Sequence, residues 1–319
     1  MNDKPTTICY FGLYRPSARA LEGRYDLLWV GYLSTMVAPL ARLFCRKPIV
    51  FNALDSWYDR AIRDREMHSK FSPAAWGIWL CDLLAFHLAT VVLVESEAQK
   101  KFLAKEFHVN PKKLAVVFTG ADPSVFFPDP SVKKRDRFTA VFRGMFLPAT
   151  GVEYVIEAAR ILRDQPIDFI IIGWGPLLSE VKAKFAAYEL SHATLMAEFL
   201  PPKVLRELML SCHVMLGQFG NHPRLLRTIQ HKTFEALALG MPYITRDSAS
   251  NRELLTDGVN CLLVPPADAS ALAKKIMLLD NNKALRESLA KNARVTYGEN
   301  CRGDVLTAAV LKLLETFKP

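Results

Sequence analysis

In residues 169–184 the sequence reads Phe169-Ile-Ile-Ile-Gly173-Trp-Gly175-Pro176-Leu-Leu-Ser179-Glu-Val-Lys-Ala-Lys184. An unbroken apolar run enters two glycines and a proline, and a helix-forming segment follows. Because the run does not alternate between apolar and polar residues, it is typical of a strand buried on both faces of a parallel sheet. Glycines allow a sharp turn and the close approach of a ligand to the backbone, and proline suits a first helical turn. We therefore predict a strand, a turn and a helix that includes Pro176.

The same pattern recurs along the whole chain, which predicts parallel α/β sheets covered by helices on both faces. Helices are expected at 33–44, 73–88, 96–107, 233–239 and 304–317. Strands are expected at 8–11, 27–30, 49–52, 91–94, 114–118, 139–143, 169–172, 194–198, 214–217, 243–245 and 261–264.

The segment Asp122–Arg137 interrupts this alternation with three prolines and then a run of basic residues, which is typical of an interdomain linker. We predict a first domain over residues 1–128 and a second over 136–319, with the last helix packing back on the first. Two doubly wound, Rossmann-like domains joined in this way would face a cleft, and such crevices are where α/β folds bind ligands.

Composition excludes several classes of protein. The chain has 319 residues, 50% of them hydrophobic and 23% charged, so it is neither disordered nor a coiled coil. Its net charge of +9 is not gathered into a basic stripe, which argues against nucleic-acid binding. Attraction to an anionic small molecule or an anionic membrane surface fits better.

Cysteine spacing and hydropathy indicate the compartment. The six cysteines lie far apart without a metal-binding spacing, which predicts reduced thiols of a cytoplasmic protein. The N-terminus lacks the pattern of a secretory signal. Residues 74–94 are long enough to span a bilayer, but they contain Asp82 and His87 and change from helical spacing to a β-branched run, so we predict a buried helix and a strand.

A second informative stretch runs from Leu216 to Glu253. Lys232 and Glu235 are three residues apart, so they share one face near the start of a predicted helix that ends at Gly240. They form either an ordinary surface salt bridge or a site where the lysine meets a phosphate and the glutamate accepts bonds from sugar hydroxyls. Small residues from Ser248 to Asn251 open another predicted helix whose amides would suit an anion.

These segments together resemble the GT-B glycosyltransferases of family 4. The Gly173-Trp-Gly-Pro-Leu177 turn is similar to the family's G-x-G-P-L, and Lys232-Thr-Phe-Glu-Ala-Leu-Ala-Leu-Gly-Met-Pro242 is similar to K-x-x-E-A-L-A-x-G-x-P. The run Glu253-Leu-Leu-Thr-Asp-Gly-Val-Asn-Cys-Leu-Leu-Val-Pro265 resembles E-L-x-x-D-G-x-N-G-x-L-V-P. A helix like that of Asp268-Ala-Ser-Ala-Leu-Ala273 usually follows. Four motifs in the right order make a chance match improbable.

The resemblance implies a retaining transfer of sugar from a nucleoside-diphosphate donor, held by the second domain, to a glycan, lipid-linked or small-molecule acceptor held by the first. It implies no metal or other cofactor, in agreement with the absence of an Asp-x-Asp triplet. The implied donor-binding residues are Arg143, Gly144, Gly173, Gly175, Pro176, Phe219, Gly220, Glu235, Ser248, Ala249, Ser250 and Glu253. Polysaccharide biosynthesis at the inner face of the membrane would be the setting.

Two departures from the family pattern concern the donor phosphates. The basic residues of the family's G-R-x-x-x-x-K-G loop are replaced by Met145 and Thr150, and the first glutamate of its E-x7-E pair is replaced by Arg227. Our hypothesis is that Arg227 and Lys232, with Arg143, supply the positive charge that the departing diphosphate needs. The alternatives are a nucleotide-sugar isomerase on the same fold and a degenerate, non-catalytic binding protein.

On the acceptor side the resemblance is looser. Only a loop's length separates the Phe11-Gly12 turn from Asp26, so either the first βαβ unit is truncated or the next strand takes an unusual place. Asp55 and Asp59 follow a buried strand and either contact an acceptor hydroxyl or cap the next helix. The tryptophans and arginines of the next segment have two interpretations. We favour a core helix beside a solvated loop. The alternative is a membrane-facing patch that contains Trp57, Trp76, Trp79, Arg60, Arg63 and Arg65.

Overall fold

The structure, a computed structural model, describes residues 8–12, 15–16 and 25–316. It divides into two compact units that meet in the sequence at Phe118/Thr119, and residues from Ala308 onward belong to the first unit. The first boundary lies ten residues before the predicted end of the first domain. The reason is that Tyr297 donates a hydrogen bond to the Ala121 carbonyl at 3.2 Å, which ties residues just after Phe118 to the second unit.

The first unit contains a six-stranded sheet in the order β2-β1-β3-β4-β5-β6, parallel except for the antiparallel pair β1/β2. The strands are β1 (Ile8–Gly12), β2 (Arg15–Pro16), β3 (Leu27–Val30), β4 (Ile49–Leu54), β5 (Val91–Val94) and β6 (Leu114–Val116). The helices are α1 (Val37–Phe44), α2 (Pro73–Leu88) and α3 (Glu97–Glu106). The sequence pattern missed β2, a two-residue strand too short for any periodicity. Strand β3 lies beside β1 in parallel register, so its place is not unusual.

Helix α1 begins four residues later than predicted. Leu33 has a positive φ of 65°, and the amide of Val37 bonds to the carbonyl of Ser34 at 2.8 Å, so the chain turns before the helix starts. Positive φ is unfavourable for a leucine inside a right-handed helix. The hydrophobic spacing extended the prediction through this turn.

The second unit contains a six-stranded, all-parallel sheet in the order β12-β11-β10-β7-β8-β9. The strands are β7 (Phe138–Arg143), β8 (Ile167–Ile172), β9 (Ala193–Met196), β10 (Val214–Leu216), β11 (Tyr243–Arg246) and β12 (Leu262–Val264). The helices are α4 (Val152–Ile161), α5 (Leu178–Ala187), α6 (Pro202–Ser211), α7 (His231–Leu239), α8 (Ala269–Asn281) and α9 (Lys283–Asn300). A last helix, α10 (Gly303–Glu315), follows.

Both sheets bury continuous apolar strands, as the sequence predicted. In the second unit one core cluster joins Phe142 and Ile171 of the sheet to helices α4, α5 and α8. In the first unit α1, α2 and α3 cover one face of the sheet. Leu314 of α10 packs with Leu27 and Val50 on the opposite face.

Two predicted helix starts in the second unit are wrong. Pro176 precedes α5 by two residues, because Gly175 has a φ of 145° and the amide of Leu178 bonds back to its carbonyl. The predicted helix opened by Ser248 is a single 3₁₀ turn, Asn251–Glu253. All six cysteines are free thiols, and all except Cys81 are buried.

Candidate functional site

The second sheet reverses its strand order at β7. From this central strand the chain first builds β8 and β9 on one side and then β10, β11 and β12 on the other. Such a reversal leaves a crevice at the carboxyl ends of the two strands that flank it, the usual ligand position in open α/β sheets. Here those ends carry Arg143 and Gly144 after β7, and Gly217 after β10.

The loops at this edge touch each other through their backbones. A β-carbon on Gly173 would lie 1.9 Å from the carbonyl oxygen of Gly144, and one on Gly151 would lie 2.2 Å from the amide nitrogen of Gly220. Real β-carbons do not come this close, so glycine is required at both positions. The glycines that the sequence predicted as ligand contacts therefore allow the backbones of neighbouring loops to pack against each other.

Lys232 extends from the first turn of α7 into this edge. Its side chain is buried, with 6% of the residue exposed, and its ammonium nitrogen donates to the Gly217 carbonyl at 3.2 Å and lies 3.9 Å from the centre of the Phe142 ring. A β-carbon on Gly144 would lie 2.9 Å from the same nitrogen. Lys232 is therefore held against the ends of β7 and β10.

Burial and, to a smaller extent, the neighbouring Arg143 together lower the pKa of Lys232 to about 7, while Glu235 opposes the shift. A buried ammonium loses its hydration, which favours the neutral amine. Near neutral pH this lysine is therefore poised between its charged and neutral forms. An anion bound beside it would favour the charged form.

Glu235 lies one helical turn after Lys232 and is also buried. Nη1 of Arg143 donates to both of its carboxylate oxygens, at 2.7 and 2.8 Å. The predicted pairing of Lys232 with Glu235 as a surface salt bridge is wrong, because the glutamate's ion pair is with Arg143 and neither Lys232 nor Glu235 is at the surface.

The loop from Gly144 to Gly151 carries no cation. Met145 is exposed, whereas Thr150 is buried and its hydroxyl donates to the Leu147 carbonyl at 2.7 Å. Thr150 therefore stabilises the loop itself. At the ends of β7 and β10, Arg143 and Lys232 supply positive charge.

An open pocket of about 150 Å³ lies beside this charge, at the ends of β7, β8 and β9. Arg143 and Gly144 line it on one side. Trp174 and Phe199 line it with rings 6.2 Å apart at an angle of 64°. Both rings are exposed, so a planar group can stack there.

The other predicted donor residues lie at the same end of the sheet in different settings. Phe219 is a core residue, so its ring does not face a ligand, and Gly220 packs against Ala149 and Gly151. Half-buried Arg227 follows a 3₁₀ turn, Pro223–Leu226, whose last carbonyl accepts the amide of Ser250. The structure thus places the segment of Arg227 beside the Ser248–Ser250 loop.

Several backbone amides of the Ser248–Ser250 loop and of the turn after it are bonded within the chain. The amide of Asn251 donates to the Ser248 hydroxyl, and the amide of Glu253 donates to the Ser250 carbonyl. The Ser250 hydroxyl donates to the Thr228 carbonyl, while Ala249 is exposed. Both serines therefore hold the loop together, and Glu253 ends its 3₁₀ turn.

In the first unit the two predicted acceptor carboxylates are buried in ion pairs. Asp55 accepts from Arg60 at 2.7 Å, and Asp59 lies 3.7 Å from Arg63. At the start of the helical turn that follows, Asp82 of α2 accepts bonds from the Ser56 hydroxyl and the amides of residues 57 and 58. The backbone of Phe11 and Gly12 ends β1, and the Phe11 side chain lies outside the described part of the chain.

Sequence reasoning missed Asp82, Phe199 and Arg246. Burial raises the pKa of Asp82 to about 7, and its three donors act in the opposite direction. The Arg246 guanidinium is fully buried and donates to the Gly220 carbonyl at 2.6 Å. A charged residue inside an apolar run was the available signal for Asp82, whereas Arg246 lies at the end of a strand beside Asp247. Nothing in the pattern indicated that Phe199 would meet Trp174.

A family model of glycosyl transferases group 1 matches residues 126–296, more than half of the chain. The chain belongs to this family. The segment matched contains Arg143, Lys232 and Glu235, together with the Trp174 pocket. The resemblance inferred from the motifs is confirmed at the level of group 1 glycosyltransferases, and the assignment to family 4 stays a prediction.

Among curated relatives of this glycosyl transferases group 1 member are alpha-D-kanosaminyltransferase of Streptomyces kanamyceticus and the amylovoran biosynthesis glycosyltransferase AmsK of Erwinia amylovora. The first is 25% identical over 54% of this chain and 45% of its own length, and the second is 26% identical over 54% and 43%. The chain spans about half the length of such relatives. D-inositol 3-phosphate glycosyltransferase of Mycobacterium ulcerans is 24% identical over 97% of this chain and 68% of its own length.

Solved structures confirm the predicted fold class, two Rossmann-like α/β domains of the GT-B type. Anabaena Alr3699/HepE in complex with UDP has a TM-score of 0.75 and 17% identity, and covers 93% of this chain and 80% of its own. Sucrose-phosphate synthase (tll1590) from Thermosynechococcus elongatus has a TM-score of 0.76 at 17% identity, over 93% and 75%.

Within the described ranges, none of the helices is long and apolar enough to serve as a membrane span. Helix α2 and strand β5 divide residues 74–94 as predicted. Over the same residues, no three or more His, Cys, Asp or Glu side chains gather in a way that would hold a metal ion.

Proposed function

We propose that the chain is a retaining glycosyltransferase that moves a sugar from a nucleoside-diphosphate donor to a glycan, lipid-linked or small-molecule acceptor, with no metal ion or other cofactor. The observation that carries the proposal is Lys232, a buried lysine whose ammonium faces the strand ends at which the sheet order reverses. A buried lysine without a carboxylate contact of its own is expensive unless an anion joins it. The family membership makes a donor diphosphate the natural anion.

In this proposal the diphosphate lies along Gly144, between Lys232 and Arg143. When the bond between the anomeric carbon and the phosphate oxygen breaks, the oxygen takes the electron pair and its new negative charge meets preplaced cations. The acceptor oxygen forms the new bond and its proton is released. Arg227 is proposed as a further cation, and Asp55 as the acceptor-side carboxylate, with Asp59 and the Phe11-Gly12 turn near the acceptor.

The nucleoside would occupy the pocket beside the Gly173–Pro176 turn, with its base on Trp174 and Phe199 and its ribose hydroxyls bonded to Glu235. Glu235 is held by Arg143 in the absence of donor. Donor binding therefore has to exchange this ion pair for two new contacts, hydrogen bonds from the ribose hydroxyls to Glu235 and an ion pair between the phosphate and Arg143. Because structural neighbours were crystallised with UDP, uracil is the first base to test.

One observation favours the second candidate, a non-catalytic nucleotide-binding protein. The two loop positions that carry cations in the family pattern are Met145 and Thr150, and Thr150 serves only its own loop. Such a protein would bind the diphosphate and fail to transfer sugar. The cytoplasmic location and a peripheral contact with an anionic membrane stay predictions alongside both candidates.

The test is thermal stabilisation by UDP, GDP and ADP, followed by sugar release from the matching donor. Stabilisation by one diphosphate is expected, because a ligand that binds only the folded chain raises its melting temperature. Lys232→Met should abolish both the stabilisation and the turnover.

Lys134→Met is the matched control. The ammonium of Lys134 donates to the Cys212 carbonyl near the amino ends of β7 and β10, and the loss of its hydration lowers its pKa to about 8, although the residue as a whole is exposed. The Lys134→Met variant should leave both the thermal stabilisation by the diphosphate and the turnover unchanged. No response to any diphosphate would refute the donor site, whereas binding without sugar release would favour the non-catalytic protein.

A further inference from the structure

The outward faces of α1 and α2 expose a continuous set of large apolar side chains. Phe44 is 89% exposed and Leu43 is 74% exposed. We define the α1–α2 apolar face as the exposed apolar residues of these two helices and the residue before α1, namely Met36, Leu40, Leu43, Phe44, Trp76, Leu80, Leu84 and Leu88. They recur at intervals of three and four, so each helix presents them as one stripe.

These stripes are additional to the core-facing sides of the same helices. Ala38 of α1 and Ala85 and Phe86 of α2 are buried against the first sheet. An ordinary surface helix is polar on the side opposite its core. Helix α2 is apolar on both sides, and its one carboxylate, Asp82, points inward and is buried. The outward side therefore needs an explanation other than packing in this unit.

The charges near the carboxyl ends of α1 and α2 are basic, whereas Glu106, which is ion-paired with Arg63, lines a pocket with Trp76 near the start of α2. Arg42 of α1 donates through Nε and Nη2 to the Leu88 carbonyl at 3.2 and 3.1 Å, which joins the carboxyl ends of the two helices. Lys113 donates to the neighbouring His87 carbonyl at 2.5 Å, and Arg46 and Lys47 are exposed just after α1. Between Asp26 and Asp55 the sequence has no acidic residue. The rim of the α1–α2 apolar face is therefore cationic at the carboxyl ends of both helices.

We propose that the α1–α2 apolar face docks the chain on the surface of an anionic lipid membrane. Aliphatic and aromatic side chains would enter the boundary between headgroups and acyl chains, while Arg46 and Lys47 meet the lipid phosphates. A second copy of this chain fits less well, because a symmetric pairing would bring the cationic rims together. The patch considered from the sequence shares only Trp76 with this face. Its Trp57, Trp79 and Arg60 are half-buried or buried, while Arg63 and Arg65 are exposed outside α1 and α2.

The experiment is flotation of the full chain with vesicles of phosphatidylcholine containing about 30% phosphatidylglycerol, and with phosphatidylcholine alone. Wild type should float with the anionic vesicles and dissociate in high salt. Leu43→Gln combined with Phe44→Gln should weaken binding about tenfold or more, because the two most exposed side chains are lost. Arg46→Gln with Lys47→Gln should weaken it roughly tenfold and reduce the salt dependence.

Matched controls lie in the second unit. Leu278→Gln with Val295→Gln removes exposed apolar side chains from α8 and α9, and Lys274→Gln with Lys291→Gln removes exposed charges from the same helices. Both should float as wild type does. Each altered side chain is exposed, so melting temperatures should not change, and UDP binding in the second unit provides an independent check of folding.

Three outcomes would overturn the proposal. The first is a wild type that does not float with anionic vesicles. The second is a Leu43→Gln/Phe44→Gln variant that floats like wild type while the second-unit controls lose binding. The third is a wild-type dimer in solution that the same variant converts to monomer, which would assign the face to a second copy. None of these depends on sugar transfer, so the proposed function can fail separately.

Discussion

Binding of UDP should take up a proton, and the source of the effect is Lys232. Its pKa of about 7 in the free protein reflects burial first and Arg143 second. A bound diphosphate places negative charge beside the ammonium, which raises the pKa again. At pH 8 a lysine with a pKa near 7 is protonated in roughly one molecule in ten, so full protonation in the complex takes up about 0.9 proton.

The assay is isothermal titration of UDP at pH 8 in two buffers with different ionisation enthalpies. The difference in apparent heat gives the number of protons taken up. The terminal phosphate of UDP, with a pKa of about 6, is already ionised at this pH and contributes little. The same linkage makes the Kd rise about tenfold for each pH unit above 8, because only the charged lysine attracts the diphosphate.

Two variants decide the assignment. Lys232→Met should remove the proton uptake together with most of the affinity, whereas Lys134→Met should keep both, because Lys134 lies at the other edge of the sheet. UDP binding by wild type without proton uptake at pH 8 would refute the reasoning. So would uptake that persists in Lys232→Met.

Two further results are expected. Glu235→Gln should weaken the binding of UDP about tenfold, because the glutamate is assigned to the ribose hydroxyls. It should not weaken the binding of inorganic pyrophosphate, because the negative charge of the glutamate repels phosphate. Titration of both ligands measures this, and equal losses would contradict the assignment. Asp82→Ala should lower the free energy of unfolding of the first unit by about 3 kcal/mol, since it leaves the Ser56 hydroxyl and two amides without an acceptor. Urea unfolding followed by tryptophan fluorescence measures it, with Asp82→Asn as the milder control; an unchanged midpoint for the alanine variant would contradict this role.

Much of the fold was predictable because its strands are continuous apolar runs. Val91–Val94 and Leu27–Val30 begin and end where hydropathy alone puts them. Helix boundaries were less predictable, because they depend on single backbone angles. Leu33 turns the chain at a positive φ that no property of leucine announces.

The site was predictable in composition and not in pairing. The spacing of Lys232 and Glu235 put them on one helix face, and both are buried at the predicted sheet edge. The partner of Glu235 is Arg143, 92 residues away in the sequence, and such a contact exists only once the strands are paired. The Trp174–Phe199 contact arises in the same way, from adjacent strands β8 and β9.

Backbone contacts between Gly173 and Gly144, and between Gly151 and Gly220, hold the loops of the second unit together with the buried side chains of Thr150 and Arg246. Met145, Trp174 and Phe199 project from these loops and are exposed. Their replacement leaves the supporting contacts intact, whereas an added methyl group at Gly173 or Gly151 forces two loops apart. Selectivity for a base can therefore change during evolution through substitutions at Met145, Trp174 and Phe199 alone. Gly173 and Gly151 cannot change in the same way, because a larger residue there would separate the loops.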